Sequence, residues 1–192
     1  MNYRLAIENA PDAIPAGSGV VLLHPSTGET DRIDTDFLRT DTDAFLVIST
    51  RTTARGVMQK LDYYDVDEDR AVILDTLSVD RGYSRRSSEN VHYVSAPDDL
   101  NGILTQTRNF LESHDGKLRI SVDSVTELAY YADEEGALET TKALLDLLDE
   151  HDAVGLFHLS REVHDDDVTE AFVELFDGVV DLDDDGNITT EF

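Results

Sequence analysis

The sequence predicts an α/β fold in which a mostly parallel sheet is covered by helices on both faces. Short apolar, β-branched runs alternate along the chain with amphipathic runs, which is the pattern of such sheets. The chain has 192 residues, enough for one sizeable core but not for two ordinary domains, so we expect a single domain over residues 1–192. Asp185-Gly186 near the end is a turn signal that predicts a C-terminal β-hairpin.

The strands are expected at the short apolar runs. These are Gly19–Leu23, Ala44–Ser49, Ala71–Asp75, Val91–Ser95, Leu118–Asp123, Ala153–His158 and Val179–Leu182, with 187–192 as the second strand of the hairpin.

Two helices are marked most clearly by the sequence. Pro97, Asp98 and Asp99 suit the first turn of the first one, because proline needs no donor there and carboxylates favour the positive end of the helix dipole. Its apolar stripe consists of Leu100, Ile103, Leu104, Thr107, Phe110 and Leu111, and the helix ends at 114–116. The second helix is expected from about residue 139 to 150, with Leu144, Leu145 and Leu148 facing inward.

Acidic residues dominate the composition. The formal net charge of −27 comes from 42 acidic and 15 basic residues, and the acids are spread over the whole chain. This pattern resembles proteins of haloarchaea, in which molar salt shortens the Debye length to about 3 Å and makes the repulsion tolerable. We therefore expect a melting temperature that rises steeply with KCl. Periodic apolar blocks, 40% of residues being hydrophobic, argue against an acidic disordered segment.

The same composition limits the classes of function. A nucleic-acid backbone would be repelled by this charge, so no nucleic-acid partner is expected. The absence of cysteine excludes disulfides, thiolate metal sites and a cysteine nucleophile. No apolar run of transmembrane length and no signal peptide or lipidation motif is visible, which predicts a soluble, cytoplasmic protein without membrane contact.

Residues 20–30, VVLLHPSTGET, have the shape of a phosphate-binding loop but lack residues that hold phosphate. Such a loop reads G-x-x-x-x-G-K-[ST], with glycines that let backbone N–H groups converge and a lysine that neutralises the phosphates. Only Gly28 and Thr30 are retained, whereas Leu23 and Glu29 stand at the first glycine and lysine positions. Two like charges about 4 Å apart repel by roughly 4 kcal/mol at an effective dielectric constant of 20. An ordinary strand followed by a turn would also give this pattern.

With the elements placed, residues 14–192 resemble the KaiC/RecA-like P-loop ATPase superfamily, and especially its single-domain archaeal members. The resemblance rests on the loop above, on the second strand closing with Ile48-Ser49-Thr50, on 118–127 (LRISVDSVTE) as a Walker B-like strand, and on 172–182 (FVELFDGVVDL). It implies a RecA-like sheet with a nucleotide site built from Gly28, Glu29, Thr30 and Asp123, in degenerate form.

Departures from the family bear on activity. The family carries a pair of water-activating acids after the second strand, yet this chain has Arg51 and Thr52 there, so no general base is left. Asp123 stands where the family's Mg²⁺ ligand would be. We expect one of two outcomes for Asp123. Either it lies close to Glu29, so that the two carboxylates repel each other, or the segment has a structural role in which Ser124 caps the next helix. Glu29 at a helix N-terminus could fill the phosphate position itself. We therefore expect no catalytic residues, no bound metal, no cofactor and no ATP binding.

The one cationic cluster is the segment 81–90, RGYSRRSSEN, with Arg81, Arg85 and Arg86. Its glycine, serines and asparagine predict a surface loop. We expect it to contact an acidic protein partner or a second copy of the chain, the alternative being a solvated loop whose arginines pair with nearby acids.

Two acidic motifs have simpler interpretations than metal binding. His158, Glu162 and His164 precede 165–167 (DDD), where acids suit the first turn of a helix. Asp181, Asp183, Asp185 and Gly186 match the opening of an EF-hand loop, but position twelve is Phe192, so a hairpin turn is expected. No serine-hydrolase motif is present.

These observations predict a RecA/KaiC-like protein that does not hydrolyse ATP and acts as a regulatory or scaffolding partner in a cytoplasmic signalling or motility system. That biological role is implied by the resemblance alone. Two alternatives stay open: a divergent ATPase that takes a cation from the 81–86 loop of an adjoining subunit, and a sensor that binds another small ligand at the carboxyl ends of the strands.

Overall fold

A computed structural model of the chain describes residues 1–26, 29–83, 85 and 88–192. The strands are β1 Asn2–Arg4, β2 Ala13–Pro15, β3 Gly19–His24, β4 Ala44–Ser49, β5 Ala71–Asp75, β6 Val91–Tyr93, β7 Leu118–Asp123, β8 Val154–Ser160, β9 Gly178–Leu182 and β10 Ile188–Glu191. The α-helices are α1 Asp31–Arg39, α2 Ala54–Tyr63, α3 Leu100–Ser113, α4 Val125–Tyr131, α5 Glu134–Glu150 and α6 Asp166–Val173.

Eight of these strands form the main sheet, in the order β10-β9-β3-β8-β7-β4-β5-β6. All neighbours pair in parallel except β9 and β10, which form the predicted C-terminal hairpin. Its turn contains Gly186 at φ 84°, a conformation that glycine adopts without strain. The predicted fold class is therefore confirmed, and Asp183, Asp185 and Gly186 belong to a hairpin turn, as expected.

The two faces of the sheet bury separate apolar clusters. One face packs against α3, α4, α5 and α6, through residues such as Ile103, Leu128, Leu144 and Phe172. The other packs against α1, α2 and the short β1–β2 hairpin. Because side chains alternate along a strand, Ile120 and Val122 of β7 belong to the first cluster, whereas the intervening residues point to the second face.

Helix α3 begins three residues later than predicted. Pro97 lies in the preceding turn, and Asp99 is the N-cap, its carboxylate accepting from the Gly102 amide at 3.0 Å. Capping by a carboxylate satisfies an amide that has no partner within the helix, and this fixes the start. The predicted apolar stripe is confirmed. Helix α5 is longer than predicted, beginning at Glu134 behind the N-cap Asp133.

The β1–β2 hairpin was missed because three-residue strands carry no readable periodicity. It is held by Tyr3, whose hydroxyl donates to the Asp152 carbonyl at 2.8 Å and accepts from the Leu118 amide at 3.1 Å. The hairpin thereby covers the amino-terminal end of β7. Among the helices described, none combines the length and apolar character needed to cross a lipid bilayer.

Candidate functional site

The turn that resembles a phosphate-binding loop follows β3. Thr27 and Gly28 lie outside the described residues, so the predicted role of Gly28 stays a prediction. Glu29 is exposed, and Thr30 is buried at the N-cap position of α1 without a side-chain cap. Glu29 therefore lies just outside the helix N-terminus and not within its first turn.

Asp123, at the end of β7, pairs with Arg51. The Arg51 Nε atom donates to Asp123 Oδ1 at 2.6 Å, and the aspartate side chain is 9% exposed. The sequence suggested a repulsive contact with Glu29, and the structure replaces it with this ion pair. The other expectation is confirmed, since Ser124 is the N-cap of α4 and its hydroxyl accepts from the Glu127 amide at 3.3 Å.

Arg51 is held beside Asp123 by the residue before it. The Thr50 amide donates to the Asp123 carbonyl at 2.9 Å, and the Ser124 amide donates to the Thr50 hydroxyl at 2.7 Å. That hydroxyl in turn donates to the Ser124 carbonyl at 3.2 Å. These bonds join the ends of β4 and β7, so the guanidinium of the next residue is brought to the carboxylate.

A second buried carboxylate, Asp34 of α1, lies beneath this pair. It is fully buried and has three partners: Lys60 Nζ donates to Oδ2 at 2.9 Å, while His158 Nε2 at 2.8 Å and the Ser121 hydroxyl donate to Oδ1. A buried carboxylate is stable only when its oxygens are satisfied in this way.

His158 connects the two carboxylates. Its Nε2 atom donates to Asp34, so a neutral ring has its lone pair on Nδ1, which lies 3.9 Å from Asp123 Oδ1. His24 of β3 packs edge-on against this ring with 6.1 Å between centroids, and its Nδ1 donates to the Pro25 carbonyl at 2.8 Å. We call Asp34, Arg51, Lys60, Asp123 and His158 the charged network.

The electrostatics of the charged network favour fully ionised carboxylates. Burial disfavours the charged forms of Asp34 and Asp123, but their cationic neighbours outweigh it and hold the pKa of each carboxyl well below its usual range. Burial likewise disfavours a charged Lys60, yet the Asp34 and Asp123 carboxylates raise its pKa. Burial is also the main reason why the pKa of His24 is lowered. The network is a set of matched charges.

The donor set does not fit a magnesium nucleotide. The carboxylate that ends β7, Asp123, is already paired with a guanidinium, and the two cations that act on it, Arg51 and Lys60, are each engaged by an aspartate. Within the described ranges, no group of three or more histidine or acidic side chains is arranged to hold a metal ion.

The sequence did not point to Asp34, to Lys60 or to the role of His158. One signal was available: Arg119, Ser121 and Asp123 alternate with apolar residues along β7, which places three polar side chains on one buried face. The helix partners were not readable, because spacing along one strand does not say which residue of a distant helix faces it.

The predicted interaction loop is only partly described. Arg81 and Arg85 are exposed, whereas Arg86 lies outside the described residues. Hydrogen bonds from Arg81 to the hydroxyls of Tyr131 and Tyr83 raise the pKa of Arg81. Tyr131 is the last residue of α4, and its neighbour Tyr130 is 78% exposed.

The histidine and acidic side chains of the segment after β8 have separate partners and do not form one cluster. His164 Nε2 lies 3.0 Å from the Thr126 hydroxyl, the Glu162 carboxylate accepts from the Ser26 amide at 3.4 Å, and 166–167 open α6 as predicted. His158 points into the charged network instead.

A cavity of about 890 Å³ lies between the start of α2 and the β5–β6 connection. Its wall combines Met58, Val91, Tyr83 and Tyr93 with the exposed Arg55. Its volume falls in the range of small-molecule sites, which are mostly apolar with a few polar groups.

Solved structures with the same fold include a KaiC-like protein and a secretion-system ATPase. A KaiC-like protein of Pyrococcus horikoshii is 14% identical, with a TM-score of 0.64, over 98% of this chain and 86% of that one. An ATPase from the type III secretion system of pathogenic bacteria is 11% identical, with a TM-score of 0.66, over 96% of this chain and 58% of that one. A P. horikoshii protein solved with an unknown peptide is 13% identical, with a TM-score of 0.66, over 92% of this chain and 83% of that one.

The TM-scores show that this chain has the fold of these RecA/KaiC-like structures, whereas sequence identities this low show nothing about its activity. No curated protein matches the sequence. A family model does match, over residues 1–192, and the chain therefore belongs to DUF7090, a family of unknown function.

Proposed function

We propose that this chain is a RecA/KaiC-like protein that does not hydrolyse ATP and acts as a regulatory or scaffolding partner. The observation that carries the proposal is the ion pair between Arg51 Nε and Asp123 Oδ1 at 2.6 Å. It occupies the carboxylate that, in the family resembled, would ligate the metal ion of the nucleotide.

The charge balance around Asp123 supports a closed site. Arg51 and Lys60 could bind phosphate only by giving up their ion pairs with Asp123 and Asp34. Each loss would leave a buried carboxylate without its cationic partner, which is costly. Glu29, at the position of the family's lysine, adds a negative charge where phosphate would approach.

The arginine loop supports a protein partner. In a chain of net charge −27, the exposed Arg81 and Arg85 provide positive charge beside the exposed Tyr83 and Tyr130. Arginine and tyrosine are the residue types enriched at protein interfaces, and charge complementarity favours an acidic partner or a second copy. A cytoplasmic signalling or motility system is the setting that we propose, by analogy with KaiC-like proteins.

Calorimetry with ATP and Mg²⁺ tests the proposal, in about 2 M KCl so that repulsion between surface acids is screened. We expect no heat of binding at micromolar ATP for the wild-type chain, with an active KaiC-like protein as the positive control. Micromolar ATP binding, or turnover above background, would instead support the divergent ATPase.

A paired variant tests the cause of the closure. Leu23→Gly with Glu29→Lys returns backbone room and the cation, so we expect measurable ATP or sulfate binding without hydrolysis. Leu23→Gly with Glu139→Lys has the same charge change, with the lysine on an exposed position of α5, and should not bind.

The cavity favours a second candidate, a small-ligand sensor. Its apolar and aromatic wall beside Arg55 suits an apolar or aromatic carboxylate. The Asp75 carboxylate in the same wall is already bound by the amides of Ala54, Leu77 and Ser78 and by the Ser78 hydroxyl. A fragment screen by ligand-observed NMR would test it. Binding that Met58→Asp abolishes and that Met58→Leu retains would support this candidate, whereas binding indifferent to both would exclude the cavity.

A further inference from the structure

Helix α2 has exposed side chains of opposite charge at its two ends. Arg55 lies in the first turn and Asp62 in the last turn, and neither forms an ion pair with any residue that the structure describes. Lys60, on the inner side of the last turn, is engaged by Asp34. The order of the two exposed charges opposes the helix dipole, which favours acids at the start and cations at the end. Helix stability therefore does not explain it.

The end of α2 also presents an aromatic ring to solvent. Tyr63 is 81% exposed, more than any other large hydrophobic side chain of the described residues. The exposed carboxylates of Asp62, Asp65 and Asp67 are close to it in sequence. Tyrosine is enriched among the residues that anchor protein interfaces, because it combines a large apolar ring with a polar tip. This end of the helix is thus an aromatic anchor among acids.

The start of α2 has the complementary features. The cavity described above is lined there by Ala54, Arg55 and Met58, and its other wall includes Tyr83 and Tyr93. Apolar and aromatic walls can take up a tyrosine ring, while an exposed guanidinium can pair with a carboxylate or stack on the ring. One helix therefore carries an apolar cavity with a cation at its start and an anchor with acids at its end.

We propose that two copies of this chain associate through α2, packed antiparallel about a two-fold axis between Met58 and Gln59. Such an axis places Arg55 of each copy opposite Asp62 of the other. It places Tyr63 opposite Ala54, at the wall of the cavity. Each contact forms twice, because a two-fold interface uses the same surface of both copies.

The net charge of −27 on each copy opposes this association at low salt. Molar salt screens that long-range repulsion, since the Debye length falls to about 3 Å at 1 M, whereas contacts made directly at the interface are screened less. We therefore expect the dimer fraction to rise with KCl. The surface specifies the second copy that the proposed function leaves as one of two partners, and it rests on that function in this respect alone. ATP binding has no bearing on it.

Sedimentation equilibrium in about 2 M KCl tests the dimer. Tyr63→Ser should weaken it at least about tenfold, because each dimer loses two anchors. Tyr130→Ser is the matched control: Tyr130 is 78% exposed near the end of α4 and contacts the ring of the next tyrosine, as Tyr63 does. A monomeric wild-type chain would overturn the proposal. So would an effect of Tyr130→Ser alone, which would move self-association to the arginine loop and leave the proposed function intact.

A charge exchange tests the antiparallel pairing. Arg55→Asp sets two acids against each other, Asp62→Arg sets two arginines against each other, and each change should weaken the dimer about tenfold at the lower salt limit of the folded state. The double variant exchanges the pair and should return the dissociation constant to within about threefold of the wild-type value. Losses that add up in the double variant would show that these residues do not face each other.

Cross-linking locates the axis. The chain contains no cysteine, so one introduced thiol reports on its own surroundings. A residue beside a two-fold axis lies close to the same residue of the other copy, so the exposed Gln59→Cys should give disulfide-linked dimers under mild oxidation. Glu139→Cys, exposed on α5, should give few. Equal yields from the two variants would contradict a two-fold axis at α2.

Discussion

The two ends of β7 place polar side chains on the same face of the same strand, yet they differ in how their charges are balanced. At the carboxyl end, Asp123 and its neighbour Asp34 have partners for both carboxylates. At the amino end, Arg119 donates one hydrogen bond to a carbonyl and has no carboxylate partner within the described part of the chain. Strand periodicity determines which residues face inward, but partners from α1 and α2 determine whether a buried charge is matched.

Removing Asp34 should leave the cations at the carboxyl end of β7 without their counter-charge. We expect this change to reduce the free energy of unfolding the most. Asp34→Ala leaves Lys60 and His158 buried without their carboxylate, so we expect a loss of about 3–5 kcal/mol in the free energy of unfolding. Urea denaturation in molar KCl measures it.

Asp36→Ala on the same helix is the matched control. Asp36 forms a partly exposed i,i+3 pair with Arg39, and such pairs contribute less than about 1 kcal/mol. If the two variants lost equal stability, the claim that α1 serves the network through Asp34 would be wrong.

Lowering the pH should affect the stability contributed by the two ends of β7 differently. The pKa values of Asp34 and Asp123 are lower in the folded state, so their contribution is complete above the unfolded value of about 3.9 and is lost as pH falls below it. Arg119 keeps its charge throughout this range, and its effect on the exposed Asp41 is the last of the causes that lower the pKa of that carboxyl.

We therefore expect a shallower loss of stability between about pH 5 and pH 2 in Asp34→Asn than in the wild-type chain, while Arg119→Met keeps the wild-type slope. Denaturation midpoints across that range provide the measurement. A wild-type slope in Asp34→Asn would show that its carboxyl titrates normally.

A smaller effect is expected near neutrality from His24. Burial lowers its pKa, so the folded state keeps the ring neutral and stability declines as pH falls below the unfolded value of about 6.5. His24→Gln should flatten the denaturation midpoint between pH 7 and pH 5, relative to the exposed control His92→Gln. Identical profiles for the two variants would contradict this assignment.

The smallest effect on stability is expected outside both ends, in the arginine loop. Replacing Arg81, Arg85 and Arg86 by serine should change the free energy of unfolding by less than about 1 kcal/mol, because exposed charges contribute little. It should weaken self-association or partner capture, most visibly at the lower salt limit of the folded state. Light scattering and pull-down from the native cytoplasm measure this, and unchanged species would make the loop a solvated connection.

The fold was predictable to a large extent, because β4 and β5 are nearly continuous apolar runs and β7 alternates apolar with polar residues. The bounds of all three strands agree with the expected ones. The starts of α3 and α5 were displaced because an N-cap carboxylate, not proline or apolar spacing, fixes a helix start. At the site, Asp123 was identified, but its partner was not. The sequence showed only that Arg51 stands where the family has a water-activating acid. It does not show that the ends of β4 and β7 are joined by hydrogen bonds, which bring Arg51 to Asp123.

That tie, formed by Thr50 and Ser124, has a consequence for protein engineering. Because three hydrogen bonds fix the backbone beside residue 51, any side chain placed there is delivered to Asp123. Arg51→Glu, the obvious single change toward a water-activating acid, would set two carboxylates against each other at a cost of about 4 kcal/mol at 4 Å and an effective dielectric constant of 20. A designer who wants to install hydrolysis on this scaffold must therefore graft the whole 49–53 connection, so that the new acid enters from a different backbone path.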